Sequence, residues 1–196
     1  MDQSDITCCF TGHRPVKLPW GLRDSDSRCE DTRAWIREQI SGLYEKGYRR
    51  FLCGMAIGCD MLFAEEVIAL RRSHPDVILF GAIPCADQAS CWNTKQKLQY
   101  SALVEQCDEI KIFSDGYNKL CMNERNSFMV EESSVLLACF NGTPGGTMNT
   151  ILFAQRKGID IRIFDLNGLV RDESREKRSP DNAEAAGQNP ETRNSL

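Results

Sequence analysis

The sequence predicts a Rossmann-like α/β domain: a doubly wound, mainly parallel sheet with helices on both faces. Three observations predict it. Apolar runs alternate with helix-period segments almost without interruption over residues 6–164. The runs themselves are near-continuously apolar, as strands covered on both faces are. A helix also stands between each pair of strands, and parallel strands require such long crossovers.

Each element follows from local signals. The first strand is expected at 6–10, and a helix from about 31 places Ile36, Ile40, Leu43 and Tyr44 on one face before Gly47 stops it. A strand at 50–53 leads to a helix at 60–73, closed by Pro75. The apolar run 77–83 is the third strand, followed by a helix at 94–106 and a strand at 109–113. The alternation continues with a helix at 123–132, a strand at 134–140, a helix at 147–157 ended by Gly158, and a last strand at 160–164. One domain, 1–168, is expected. The remaining 169–196 is rich in Arg, Glu, Asn, Ser and Pro and is expected to be disordered, because it cannot bury enough apolar area to offset its ordering entropy.

Composition narrows the function classes. With 196 residues, 41% apolar and 27% charged, the chain can enclose a core on both faces of a sheet. Its net charge of −4 argues against general nucleic-acid binding, which depends on neutralising phosphates, yet allows a local anion pocket. No apolar stretch approaches the roughly 20 residues that span a bilayer. The opening Met1-Asp2-Gln3-Ser4-Asp5 lacks the basic-then-apolar order of a secretory signal, so a cytoplasmic location without membrane contact is expected. Ten cysteines are scattered through strands and helices; Cys8, Cys9, Cys53 and Cys139 lie in apolar runs, where a thiol acts as a small hydrophobe. With no Cys-x-x-Cys pair and only His13 and His74, the spacings of a zinc site are missing, and disulfides are not expected in a reducing compartment.

In this fold class ligands sit beyond the carboxyl ends of the strands. The loop after the first strand, Thr11-Gly12-His13-Arg14-Pro15, gathers donors around a glycine. Arg14 there suits a phosphate, whose oxygens its planar fork can engage in pairs, or else simply meets a surface carboxylate. Gly54-Met55-Ala56-Ile57-Gly58-Cys59-Asp60 runs straight into a helix, so its N–H groups can face an anion. Asp60 fits an N-cap, with or without a second role accepting hydrogen bonds from ribose hydroxyls. Pro84 follows the third strand, with Gln88 and Trp92 downstream; Trp92 either stacks on a base or covers the core edge. Asn141-Gly142-Thr143-Pro144-Gly145-Gly146-Thr147 holds three glycines before a helix, a pattern that suits a phosphate cradle better than a tight turn. Thr147 supplies a hydroxyl to that cradle or caps the helix.

Four segments in register, Phe10–Pro15, Gly54–Asp60, Arg125-Asn126-Ser127-Phe128-Met129-Val130 and Gly145-Gly146-Thr147, resemble the YpsA-like branch of the SLOG superfamily. That superfamily also holds LOG-type nucleotide phosphoribohydrolases and DprA-like DNA-processing proteins. The resemblance covers about 6–165. It implies a Rossmann-like fold that binds nucleotides or nucleotide-derived ligands at the strand ends. It also directs attention to Arg125 and Asn126, which periodicity alone leaves as a polar helix face. LOG-type hydrolases continue their glycine motif as Pro-Gly-Gly-x-Gly-Thr-x-x-Glu. Here the run is Pro144-Gly145-Gly146-Thr147-Met148-Asn149-Thr150, and threonine stands where the catalytic carboxylate is expected. Threonine cannot serve as a carboxylate base or stabilise a cationic sugar by charge.

Three functions are therefore weighed. The first is a sensing or regulatory module for a nucleotide derivative such as an ADP-ribose or NAD-related species, acting through a homodimer or a protein partner. The second is a phosphoribohydrolase-like nucleotide hydrolase cleaving an N-glycosidic or phosphate bond, with Asp60 as the candidate base. The third is a DNA-processing accessory role, which the acidic balance disfavours. The expected ligand-binding residues are Thr11, Gly12, His13, Arg14, Gly54, Gly58, Asp60, Pro84, Arg125, Asn126, Gly142, Gly145, Gly146 and Thr147. No metal is expected among them.

Overall fold

Two interleaved sets of side chains organise the sheet. Along the first strand, β1 (Thr7–Gly12), Cys8 and Phe10 point into one core and Cys9 into another, as the two-residue period of a strand requires. The computed structural model describes residues 3–172. The chain continues through α1 (Ser27–Glu45), β2 (Arg50–Cys53), α2 (Cys59–Arg71), β3 (Ile78–Ile83), α3 (Thr94–Val104) and β4 (Glu109–Ile112). It then passes through α4 (Cys121–Glu131), β5 (Val135–Phe140), α5 (Gly146–Lys157) and β6 (Asp160–Asp165). All strand pairs are parallel, in the order β4-β3-β2-β1-β5-β6. This is the doubly wound Rossmann-like architecture that the sequence predicts.

Helices α1, α2 and α3 cover one face and α4 and α5 the other. The larger core stacks Phe10 on Phe63 at 4.5 Å, beside Ile36, Ile40, Leu43 and Phe51. Cys9, Leu52, Leu136 and Ala138 meet Met129 and Ile151 on the other side. Each Phe, Leu, Ile or Met among them contributes about 1.5–3 kcal/mol by leaving water.

Boundaries depart from the sequence expectations where side-chain bonds decide them. Helix α1 starts four residues earlier than expected, at Ser27, because Asp26 caps it by accepting from the Arg28 N–H at 3.1 Å. Asn93 and Gln96 form a reciprocal capping box at the start of α3. β1 runs two residues beyond Phe10, because Thr11 and Gly12 pair with Ala138 and Cys139 of β5. Of the expected disordered tail, residues 169–172 lie against α1, where Arg171 Nε approaches Asp26 at 3.9 Å; 173–196 lie outside the described residues.

Strands β1 to β4 are added in sequence toward one edge, and β5 then returns to the other side of β1. The topological switch point therefore falls between β1 and β5, whose carboxyl ends carry the loops at 13–17 and 141–145.

Candidate functional site

A cleft of about 470 Å³ opens at that switch point, within the range of small-molecule sites. Of the expected site residues, Thr11, Gly12, His13, Arg14, Asp60, Arg125, Asn126, Gly146 and Thr147 line it. Gly54, Gly58, Pro84, Gly142 and Gly145 do not, and two of these serve the protein's own packing. Gly58 has φ +101°, and a Cβ there would lie 2.6 Å from the His13 carbonyl oxygen, so only glycine lets the loops after β1 and β2 meet. Gly54 yields its side-chain space to the Arg125 guanidinium. Pro84 is buried at the end of β3, and Trp92 packs edge-on against Tyr100 at 5.3 Å, the covering role rather than a stacking one.

Neither Asp60 nor Thr147 is an N-cap. Gly58 caps α2 and Gly145 caps α5, which places Asp60 and Thr147 in the second helical positions with their side chains free to turn inward. Asp60 accepts from the Ala56 N–H at 3.3 Å and faces Arg125 Nη1 at 3.8 Å, both residues buried. Burial raises the Asp60 carboxyl above its usual range, against the pull of Arg125, and burial likewise lowers the Arg125 guanidinium. Desolvation thus outweighs mutual attraction in this pair.

His13 is 3% exposed, and its Nδ1 lies 3.4 Å from the Thr147 hydroxyl. Its Nε2 and the Nε of Arg125 are buried without a hydrogen-bond partner. Burial lowers the His13 pKa below its ordinary value. The first N–H groups of α5 lack helical acceptors by construction, and Gly146 and Thr147 bring them to the same wall. Arg14, Lys17 and Arg125 face a single lining carboxylate, Asp60, so the cleft is cationic in a chain of net charge −4. Arg14 is exposed and has no salt bridge among the described residues. The arrangement can hold an anion; among the described residues no group of three or more His, Cys, Asp or Glu side chains could hold a metal.

Several lining residues escaped the sequence reading. Lys17 bonds the Pro144 carbonyl, and Asn141 returns a bond to the Lys17 carbonyl at 3.2 Å, clasping the two switch-point loops together. Its signal was a second cation three residues after Arg14. Asn149 stands one helical turn after Gly146, Tyr117 comes from the connection between β4 and α4, and Met122 from the first turn of α4. Gln88 donates to the Met55 carbonyl at 2.9 Å and so props the buried Met55, whose φ of +53° is unusual outside glycine.

Residues 8–163 match the model of the YspA SLOG family. The chain is 25% identical over 130 residues to the SPbeta prophage-derived protein YoqJ of Bacillus subtilis, covering 60% of this chain and 76% of that protein. It is 27% identical over 135 residues to a UPF0398 protein of Halalkalibacterium halodurans, with coverage of 67% and 70%. Among solved structures it resembles the DNA processing protein A of Helicobacter pylori, described for its single-stranded DNA binding mode, with TM-score 0.57, 17% identity, and 89% and 72% coverage. The Streptococcus pneumoniae DprA gives TM-score 0.57 at 13% identity; it covers 94% of this chain, which spans 58% of that one. At these identities the two structures establish a shared fold.

Proposed function

The chain belongs to the YspA SLOG family, and from that premise we propose that the switch-point cleft binds a nucleotide or nucleotide-derived phosphate ligand, of ADP-ribose or NAD type, in a sensing or regulatory role. One observation carries this reading: the two buried, unpartnered nitrogens, His13 Nε2 and Arg125 Nε, belong to residues lining the same cleft as the α5 N-terminus. A buried polar nitrogen without a partner costs about 1–3 kcal/mol, which a ligand that draws it into a hydrogen bond would relieve. Phosphate oxygens fit the cations, and sugar hydroxyls fit Asp60.

A thermal-shift titration with AMP, NAD and ADP-ribose tests the proposal, because a ligand that binds only the folded state raises its melting temperature. At least one should do so, and Arg14→Ala and Lys17→Ala should weaken the shift. No shift with any of the three sinks the proposal.

A second reading, a nucleotide hydrolase, draws on Asp60: a buried cleft carboxyl with a raised pKa is a common acid–base device. Release of free base or nicotinamide that Asp60→Asn abolishes would favour it over a pure binder. A single-stranded oligonucleotide in the same titration tests a DNA-handling role; salt-sensitive binding would support it.

A further inference from the structure

The cleft is lined by cations that suit phosphate and, on its β4 side, by an aromatic ring that does not. His13, Lys17 and the α5 N-terminus come from the β1 and β5 ends of the sheet. Tyr117 reaches the cleft from the connection after β4, a strand three spacings from β1, or about 14 Å, and Met122 from the first turn of α4. Tyr117 is 67% exposed, although an aromatic ring normally gains by burial.

Its loop is nevertheless held in shape. The Ser114 hydroxyl donates to the Gly116 carbonyl at 2.7 Å and accepts from Asn118 Nδ2 at 3.0 Å. Asn118 Oδ1 accepts from the N–H groups of Leu120 and Cys121, both at 2.8 Å, which ties the loop to the start of α4. The hydrogen bonds on both sides of Tyr117 thus hold the backbone that carries its ring at the cleft wall, so the loop itself need not be ordered when a ligand arrives.

Building on the phosphate-ligand reading above, we propose that Tyr117 is a base-stacking platform at the cleft wall, so that the ligand is a nucleotide carrying a purine or pyrimidine ring rather than a bare sugar phosphate. A flat ring face accepts any base, since every base has a π-face.

Isothermal titration of the full chain with AMP, ADP-ribose and ribose 5-phosphate separates the two ideas. Wild type should bind AMP or ADP-ribose at least about tenfold more tightly than ribose 5-phosphate. Tyr117→Ala should remove about tenfold of affinity from the base-bearing ligands and leave ribose 5-phosphate unchanged, whereas Tyr117→Phe should behave as wild type. Equal losses for all ligands, or no loss for any, overturn the platform while leaving the phosphate site standing. If none of the three binds wild type, both proposals fall. The exposed position makes a folding defect in Tyr117→Ala unexpected, and an unchanged circular dichroism spectrum checks it.

Discussion

The guanidinium of Arg125 occupies the volume that a side chain at residue 54 would need: a Cβ on Gly54 would lie 1.1 Å from Arg125 Nη1 and 2.8 Å from an Asp60 carboxylate oxygen. The loop after β2 is glycine there because of an arginine some seventy positions later in the chain. Gly54→Ala should therefore displace Arg125, destabilise the fold by about 1–3 kcal/mol, and weaken ligand binding. Because the clash is with one side chain, adding Arg125→Ala should make the two losses much less than additive. Additive losses in urea denaturation would place the strain elsewhere.

The buried Asp60–Arg125 pair gives a second prediction. Arg125→Met strips Asp60 of its opposing charge and should cost about 3–5 kcal/mol at pH 8, where an unpaired buried carboxylate is least tolerated. The carboxyl is already raised by burial, and losing Arg125 raises it further, so the native state then holds a proton that the unfolded state has released. Stability of this variant should accordingly fall as pH rises from 5 to 8. The double variant Asp60→Asn/Arg125→Met should regain most of the loss, and its failure to do so would show that the pair is not the source.

Most of the scaffold is legible in the sequence because it depends on local periodicity. The 50–53 strand and the alternation of Cys8, Cys9 and Phe10 are fixed by which residues must leave water. The site is less legible. Glycine-rich loops have two causes that look alike in one dimension, approach of a ligand and approach of another part of the chain. Gly146 lines the cleft, whereas Gly58 is needed because the His13 carbonyl passes close to it. Lys17, Asn149 and Tyr117 belong to three separate segments, and only the strand order, with β1 between β2 and β5, brings their loops together. No local pattern encodes that order.

Lys157 offers a test of stability remote from the cleft. Its ammonium bonds the carbonyls of Val130 and Ser133, at 3.0 and 3.2 Å, and that of Glu131, so it closes the C-terminal end of α4 from the last turn of α5. A cation at a helix C-terminus satisfies orphan carbonyls and complements the dipole. The residue is exposed, so solvent screening limits the gain. Lys157→Met should lower stability by about 1 kcal/mol, or roughly 2–4 °C in Tm for a domain of this size, without changing ligand affinity. A change in affinity would show that α4 transmits strain to Arg125 and Asn126.

His13 links the site to pH. Burial disfavours its imidazolium, nearby Lys17 adds to that effect, and the interaction with Asn141 opposes both without overcoming them. The unfolded chain takes up a proton here near pH 6.5, the folded chain only at lower pH. In that window the unfolded state holds more protons, so stability should decline as pH falls below about 6.5. A pyrophosphate bound in the cleft that His13 lines would oppose the effect of burial, because a nearby anion favours the charged ring. Binding of ADP-ribose, whose pyrophosphate does not titrate in this range, should then take up a proton and tighten as pH falls from 7.5 to 5.5. One proton allows at most about tenfold per pH unit. Calorimetry in buffers of different ionisation enthalpy measures that uptake directly. His13→Gln, which keeps a donor but cannot titrate, should abolish both dependences. Identical pH profiles in wild type and His13→Gln would remove His13 from the ligand's surroundings.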